Sequence, residues 1–187
     1  MRHRIRAYGA RSATVCLLCM IVLFARVACA EGSYTKTAEM ICGDTKIKVI
    51  TECFDDSLIP PSCTKQRFEL TDQQTKKTVA KSASGKLVDS DLTGPSLGAL
   101  ATRIQCVAGK TQPYLIVWYY TGGNCEQCEW QEILDLMGKR LGSNQTKTKN
   151  SLAEFDATWT RLGLGSPRSG GNVPGSQHME IPLRRKD

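Results

Sequence analysis

The stretch Tyr114–Tyr120 is apolar on both of its alternating faces, and this constrains the fold more than any other feature of the chain. Leu115, Val117 and Tyr119 lie on one side, and Ile116, Trp118 and Tyr120 on the other. A β-strand of this kind sits inside a sheet that is covered on both faces. One sheet with a wet outer face cannot hold it, so a second layer must come from elsewhere in the chain.

Much of the chain reads as further strand. Lys46–Cys53 alternates, with Ile47, Val49, Thr51 and Cys53 on one face, and Gln66–Thr71 does the same with Phe68 and Leu70. Thr78–Ser82 is a weaker partner beyond the polar turn at 72–75, and Lys86–Val88 is a short candidate within the Ser/Gly/Asp/Pro-rich connection 84–98. Leu100–Val107 and Pro113–Thr121 flank the turn-like 108–112 as a hairpin. Residues 31–41 read as a polar lead-in. The second layer falls to Ser151–Leu162, where Leu152, Phe155, Trp159 and Leu162 share one helical face and Gly163 supplies a stop. The expected fold is α+β or mainly β: a curved antiparallel sheet of about six to eight strands, crossed by one C-terminal helix and stapled by disulfides.

The N-terminus reads as an export signal. Arg2, Arg4, Arg6 and Arg11 precede an apolar run from Ala13 to Ala25, which is shorter than the roughly 20 residues a spanning helix needs. Val27-Ala28-Cys29-Ala30 then has small residues at the positions a signal peptidase reads. Residues 1–30 are thus expected to be cleaved, leaving a single domain over 31–164 and a flexible Gly/Ser/Pro-rich tail over 165–187. Removing 1–30 takes away five arginines and no acid, so 25 basic residues become 20 against 18 acidic ones, and the net charge falls from +7 to +2. A nucleic-acid partner loses its support with that charge. Six cysteines remain: Cys42, Cys53, Cys63, Cys106, Cys125 and Cys128. In a periplasmic or secreted protein an even number reads as three disulfides, with fifteen possible connectivities.

Cys125-Glu126-Gln127-Cys128 is the motif that can carry redox chemistry. A hydrophobic strand leads into it, and Trp130, Ile133, Leu134, Met137 and Leu141 can be placed on one helical face. That context resembles the thioredoxin fold. The resemblance implies a thiol–disulfide oxidoreductase, with Cys125 the nucleophile at a helix N-terminus and Cys128 the resolving thiol. Glu126, Glu129 and Glu132 would oppose thiolate formation there. Gly122-Gly123-Asn124 stands where that family commonly has an aromatic residue, and no strand pair follows Leu141. The alternative is a hairpin, with Gly122–Gln127 its turn, Glu129–Leu136 its returning strand, 137–139 the next turn and Arg140–Ser143 a further strand. The glycines favour the hairpin, in which the cysteine pair is a loop staple.

Other chemistries are poorly supplied. After position 30 the one histidine is His178, too little for a Ser-His-Asp or Cys-His site or for histidine-based metal catalysis. No phosphate-binding glycine loop is present, and no cofactor or metal is expected. The acidic pairs Asp55/Asp56 and Asp89/Asp91 and the group Glu126/Glu129/Glu132 are expected to be solvated charge. The expectation is therefore a non-enzymatic exported binding protein, an inhibitor or immunity-type partner of another periplasmic or secreted protein such as a hydrolase, with no membrane span after cleavage. A structural subunit of an envelope assembly is a further alternative. The contact surface is expected at Tyr120, Gly123, Asn124, Glu126, Gln127, Glu129 and Trp130, because aromatics beside a clamped loop are common interface anchors.

Overall fold

The computed structural model describes residues 32–55, 61–83, 87–88, 96–122, 128–145, 151–165 and 175–185. The expected signal segment 1–30 lies outside them, as do residues 166–174 of the expected tail. Eleven strands and one helix are described: β1 (Tyr34–Cys42), β2 (Thr45–Asp55), β3 (Ser62–Asp72), β4 (Thr78–Ser82), β5 (Leu87–Val88), β6 (Ser96–Leu97), β7 (Leu100–Ala108), β8 (Pro113–Tyr120), β9 (Glu129–Leu134), β10 (Arg140–Ser143), α1 (Ser151–Leu162) and β11 (Gln177–Glu180).

The strands are distributed over two main sheets, both antiparallel. One runs β1-β2-β3-β4 and the other β10-β9-β8-β7-β11, with β5-β6 as a small ribbon. The expected mostly β class with one packed helix is observed, the strands being split between stacked sheets. Ile47, Val49, Phe68 and Leu70 of the first sheet share a buried cluster with Ala101, Ile104, Leu115, Val117, Tyr119, Trp130 and Leu134 of the second. The alternate residues Tyr114, Ile116 and Ile133 face the other way, onto Phe155, Trp159 and Leu162 of α1. The doubly apolar strand β8 is thus central in its sheet, with a sheet on one side and the helix on the other. Leu152, placed by its spacing on the buried helical face, is instead exposed. It lies at the edge of the stripe Ser151–Phe155–Trp159–Leu162, in the first turn.

Two local expectations are corrected, at 31–41 and in the expected tail, while the hairpin favoured over 129–141 is observed. The lead-in 31–41 is largely strand: β1 alternates Tyr34, Lys36, Ala38, Met40 and Cys42 towards the interior, but Ala, Lys and Met are weak strand formers and hide the period. Segment 129–141 is not helical but two strands about the turn 135–139, where the Asp135 carboxylate accepts hydrogen bonds from the Met137 and Lys139 amides at 2.9 and 2.8 Å. The stretch expected as a tail contains β11, which pairs with β7 from Gln177↔Cys106 to Glu180↔Arg103 and buries Met179 and Ile181 in the intersheet core.

Two disulfides are fixed in position. Cys42–Cys106 joins β1 of one sheet to β7 of the other, whereas Cys53–Cys63 links directly opposed residues of β2 and β3. Such bonds persist in an oxidising compartment, and that is where this chain belongs. No helix among the described residues is long and apolar enough to cross a membrane. A buried amide adds a further tie between the layers. Gln66 Nε2 donates to the Ala101 carbonyl (2.9 Å) and to Thr51 Oγ1 (3.1 Å), while Gln66 Oε1 accepts from the Ala101 amide (2.7 Å). Ala101 precedes a register shift in β7 and lies beyond the last pairing of β11, so the glutamine stands in for a missing strand.

Candidate functional site

One end of the sandwich carries Tyr120 and Glu129, the two expected contact residues found at the surface. There Cys53, Cys63 and Leu100 form a small buried cluster with Tyr34, Leu97 and Leu183 packed on it, and Tyr34 Oη donates to the Leu183 carbonyl at 2.8 Å. Leu100 is paired with Tyr120, and Tyr120 with Glu129, so the β2–β3 and β8–β9 loops leave from the same end. The second loop is closed at its base: the Thr121 amide donates to the Cys128 carbonyl at 2.9 Å, and Cys128 is disulfide-bonded. Glu129 begins strand β9, so no helix N-terminus follows Cys128 to favour a thiolate there.

The expected contact residues separate. Tyr120 is half-buried and Glu129 exposed, both at this end. Trp130, expected beside them at the surface, is a core residue. It is 4 % exposed and stacks on Tyr119 with ring centroids 5.2 Å apart and an interplanar angle of 14°. Strand alternation explains the correction, because Glu129 and Trp130 must point to opposite faces of β9. Gly123, Asn124, Cys125, Glu126 and Gln127 lie outside the described residues. Glu132, expected as solvated charge, is fully buried, and its carboxylate accepts from Arg140 Nη1 at 3.2 Å. Lys81 faces the same group from β4; burial holds its ammonium below the usual lysine range, with the Glu132 charge opposing that shift. His178 lies on the exposed part of β11.

Below Tyr120, on the face of the second sheet that α1 covers elsewhere, four neighbouring strands place Glu180, Arg103, Trp118 and Gln131 in one row. The Arg103 guanidinium lies 5.7 Å from the Trp118 ring centroid, and its Nε donates to Glu180 Oε1 at 2.5 Å. This row carried no motif in the sequence. Arg103 and Trp118 are 15 positions apart, and only the strand register brings them together.

At the opposite end an open cleft of about 620 Å³ lies beside Cys106, bounded by Ile41, the 108–113 turn, Gly175 and Gln177. Among the described residues its charged lining is Lys110 alone. No group of three or more His, Cys, Asp or Glu side chains among the described residues is placed to hold a metal ion. Compared with known proteins, the chain matches no family model, no curated protein and no solved structure.

Proposed function

We propose that this chain is a periplasmic or secreted binding protein that engages another exported protein, in the manner of an inhibitor or immunity partner of a hydrolase. The observation that supports the reading best is that the strand ends at which the β2–β3 and β8–β9 connections begin and end, each with a disulfide-bonded cysteine, lie at one end of a doubly layered sandwich. Loops held on a rigid scaffold lose little conformational entropy on binding. The segments 55–61 and 122–129 carry Asp55, Asp56, Glu126 and Glu129 and no basic residue, which suits a partner face that is basic. Tyr120 at the base of the second loop supplies an aromatic anchor.

The test uses the chain without residues 1–30, immobilised and offered to the exported proteins of its own source. A one-to-one complex is expected, weakened at least tenfold by Tyr120→Ala and by Glu129→Lys, with loss of affinity on raising salt. A complex indifferent to both substitutions would remove this end of the molecule from the interface. Assembly into a larger multi-subunit particle would favour an envelope scaffold instead.

A further inference from the structure

The row beneath Tyr120 holds hydrogen-bond donors that have no protein acceptor among the described residues. Arg103 uses Nε on Glu180 and lies against Trp118, which fixes the plane of its guanidinium and leaves Nη1 and Nη2 unengaged. Trp118 Nε1 is buried and lacks a partner, and the Gln131 side-chain amide, next in the row, makes no hydrogen bond. A buried donor without an acceptor costs free energy, and Trp118 Nε1, set between the part-exposed donors of Arg103 and Gln131, calls for an acceptor from outside the chain. A guanidinium already oriented by a ring and a carboxylate presents its remaining N–H groups as a fork, the arrangement that fits a second carboxylate through two parallel bonds. The size of the charge follows from the surroundings. Glu180 already neutralises Arg103 and Glu129 begins the adjacent strand, so a monoanion is accepted more readily than a dianionic phosphate.

We propose that Arg103, Trp118 and Gln131 form a carboxylate-binding subsite, filled in the complex by an acidic side chain of the protein partner. The assignment of the occupant rests on the binding reading above; the subsite itself does not.

It is tested on the ¹⁵N-labelled mature chain by following the Arg103 Nε–H and Trp118 Nε1–H signals. Sodium acetate is the probe, sodium chloride at matched ionic strength the control, and a blocked Gly-Glu-Gly peptide the mimic of a partner side chain. Acetate and peptide are expected to shift both signals saturably, the peptide at least as tightly as acetate. Arg103→Lys is expected to weaken acetate at least about fivefold, since an ammonium cannot make the paired bonds. Trp118→Phe keeps the ring under the guanidinium, removes the N–H and is expected to weaken acetate about threefold, which keeps the test decisive should Arg103→Lys fail to fold. Shifts no larger than those from chloride, or affinity unchanged in the variants, would overturn the subsite. A peptide that binds far more weakly than acetate would assign it to a free small carboxylate and overturn the partner side chain. A blank acetate titration sinks the subsite whether or not a partner is found. A complex insensitive to Tyr120→Ala and Glu129→Lys sinks the loop-end reading and leaves the acetate result standing.

Discussion

Replacing Cys42 and Cys106 together by alanine should destabilise the chain more than replacing Cys53 and Cys63. The two bridges span 64 and 10 positions of sequence. In the chain-entropy description, closing loops of these lengths in the unfolded state contributes about 4.3 kcal/mol and about 2.7 kcal/mol, and the difference, (3/2)RT times the logarithm of the length ratio, is about 1.6 kcal/mol. The loops are nested, since 53–63 lies within 42–106. The inner bridge shortens the effective outer loop by about ten residues, which removes only ~0.2 kcal/mol from that difference because the dependence is logarithmic. The native-state effects act in the same direction. Cys42–Cys106 ties one sheet to the other, whereas Cys53–Cys63 joins two strands whose register is already held by the ladder from Thr45↔Asp72 to Glu52↔Lys65. Alanine is preferred to serine, so that no hydroxyl is left among the buried residues at either site. Urea unfolding of both double variants and the parent is the assay, with slopes fitted separately because a bridge alters the compactness of the unfolded chain. If the Cys42/Cys106 variant loses no more stability than the Cys53/Cys63 variant, the entropic account of these bridges is wrong for this protein.

Gln66→Leu should cost about 3 kcal/mol by the same assay, because it strands both the amide and the carbonyl of Ala101 in the interior, and Gln66→Glu should cost at least as much, having no N–H to offer the carbonyl. Ending the chain after Leu164 should lower stability by more than about 3 kcal/mol, through loss of the buried Met179 and Ile181 and uncovering of the core they pack on, and should speed amide exchange in β7. Asp72→Asn should lower the melting temperature at pH 7 and converge with the parent in strong acid. The Gln74 and Thr75 amides donate to the Asp72 carboxylate at 2.9 and 2.7 Å, and the Thr75 contact above all holds its carboxyl below the usual aspartate range. Stability from a depressed carboxyl is present above its unfolded pKa and lost as pH falls through the folded one. A Tm difference that does not change between pH 7 and pH 2 would contradict this.

Much of the architecture is written locally. The alternation in Lys46–Cys53 and Gln66–Thr71 names buried residues that are buried, the hairpin of Leu100–Val107 with Pro113–Thr121 is observed, and the apolar period of 151–162 names the helix and three of its four core contacts. The demand of Tyr114–Tyr120 for cover on both sides is met by α1 on one side and by β1–β4 on the other. Segment 129–141 could not be settled by period, since Trp130, Ile133 and Leu134 satisfy a helix face and a strand equally. Gly138, with φ of +77°, permits the turn that ends the question in favour of two strands.

Sequence alone determined most of the inner strands and where the helix lies, because those properties depend on neighbours two to four positions apart, and the even cysteine count marked a disulfide-bearing chain; β1 and β11 were not legible in it. What only the tertiary structure decided is what meets across the layers. Strand register turned Trp130 inward and left Tyr120 and Glu129 at the surface. The edge of β7 recruited β11 from a stretch whose composition reads as tail, and burial drew Glu132 onto Arg140. The row Glu180–Arg103–Trp118–Gln131 likewise arises from four strands spread over 78 positions. Its members are ordinary surface residues in sequence, and a candidate site only after the ladder hydrogen bonds have set them side by side.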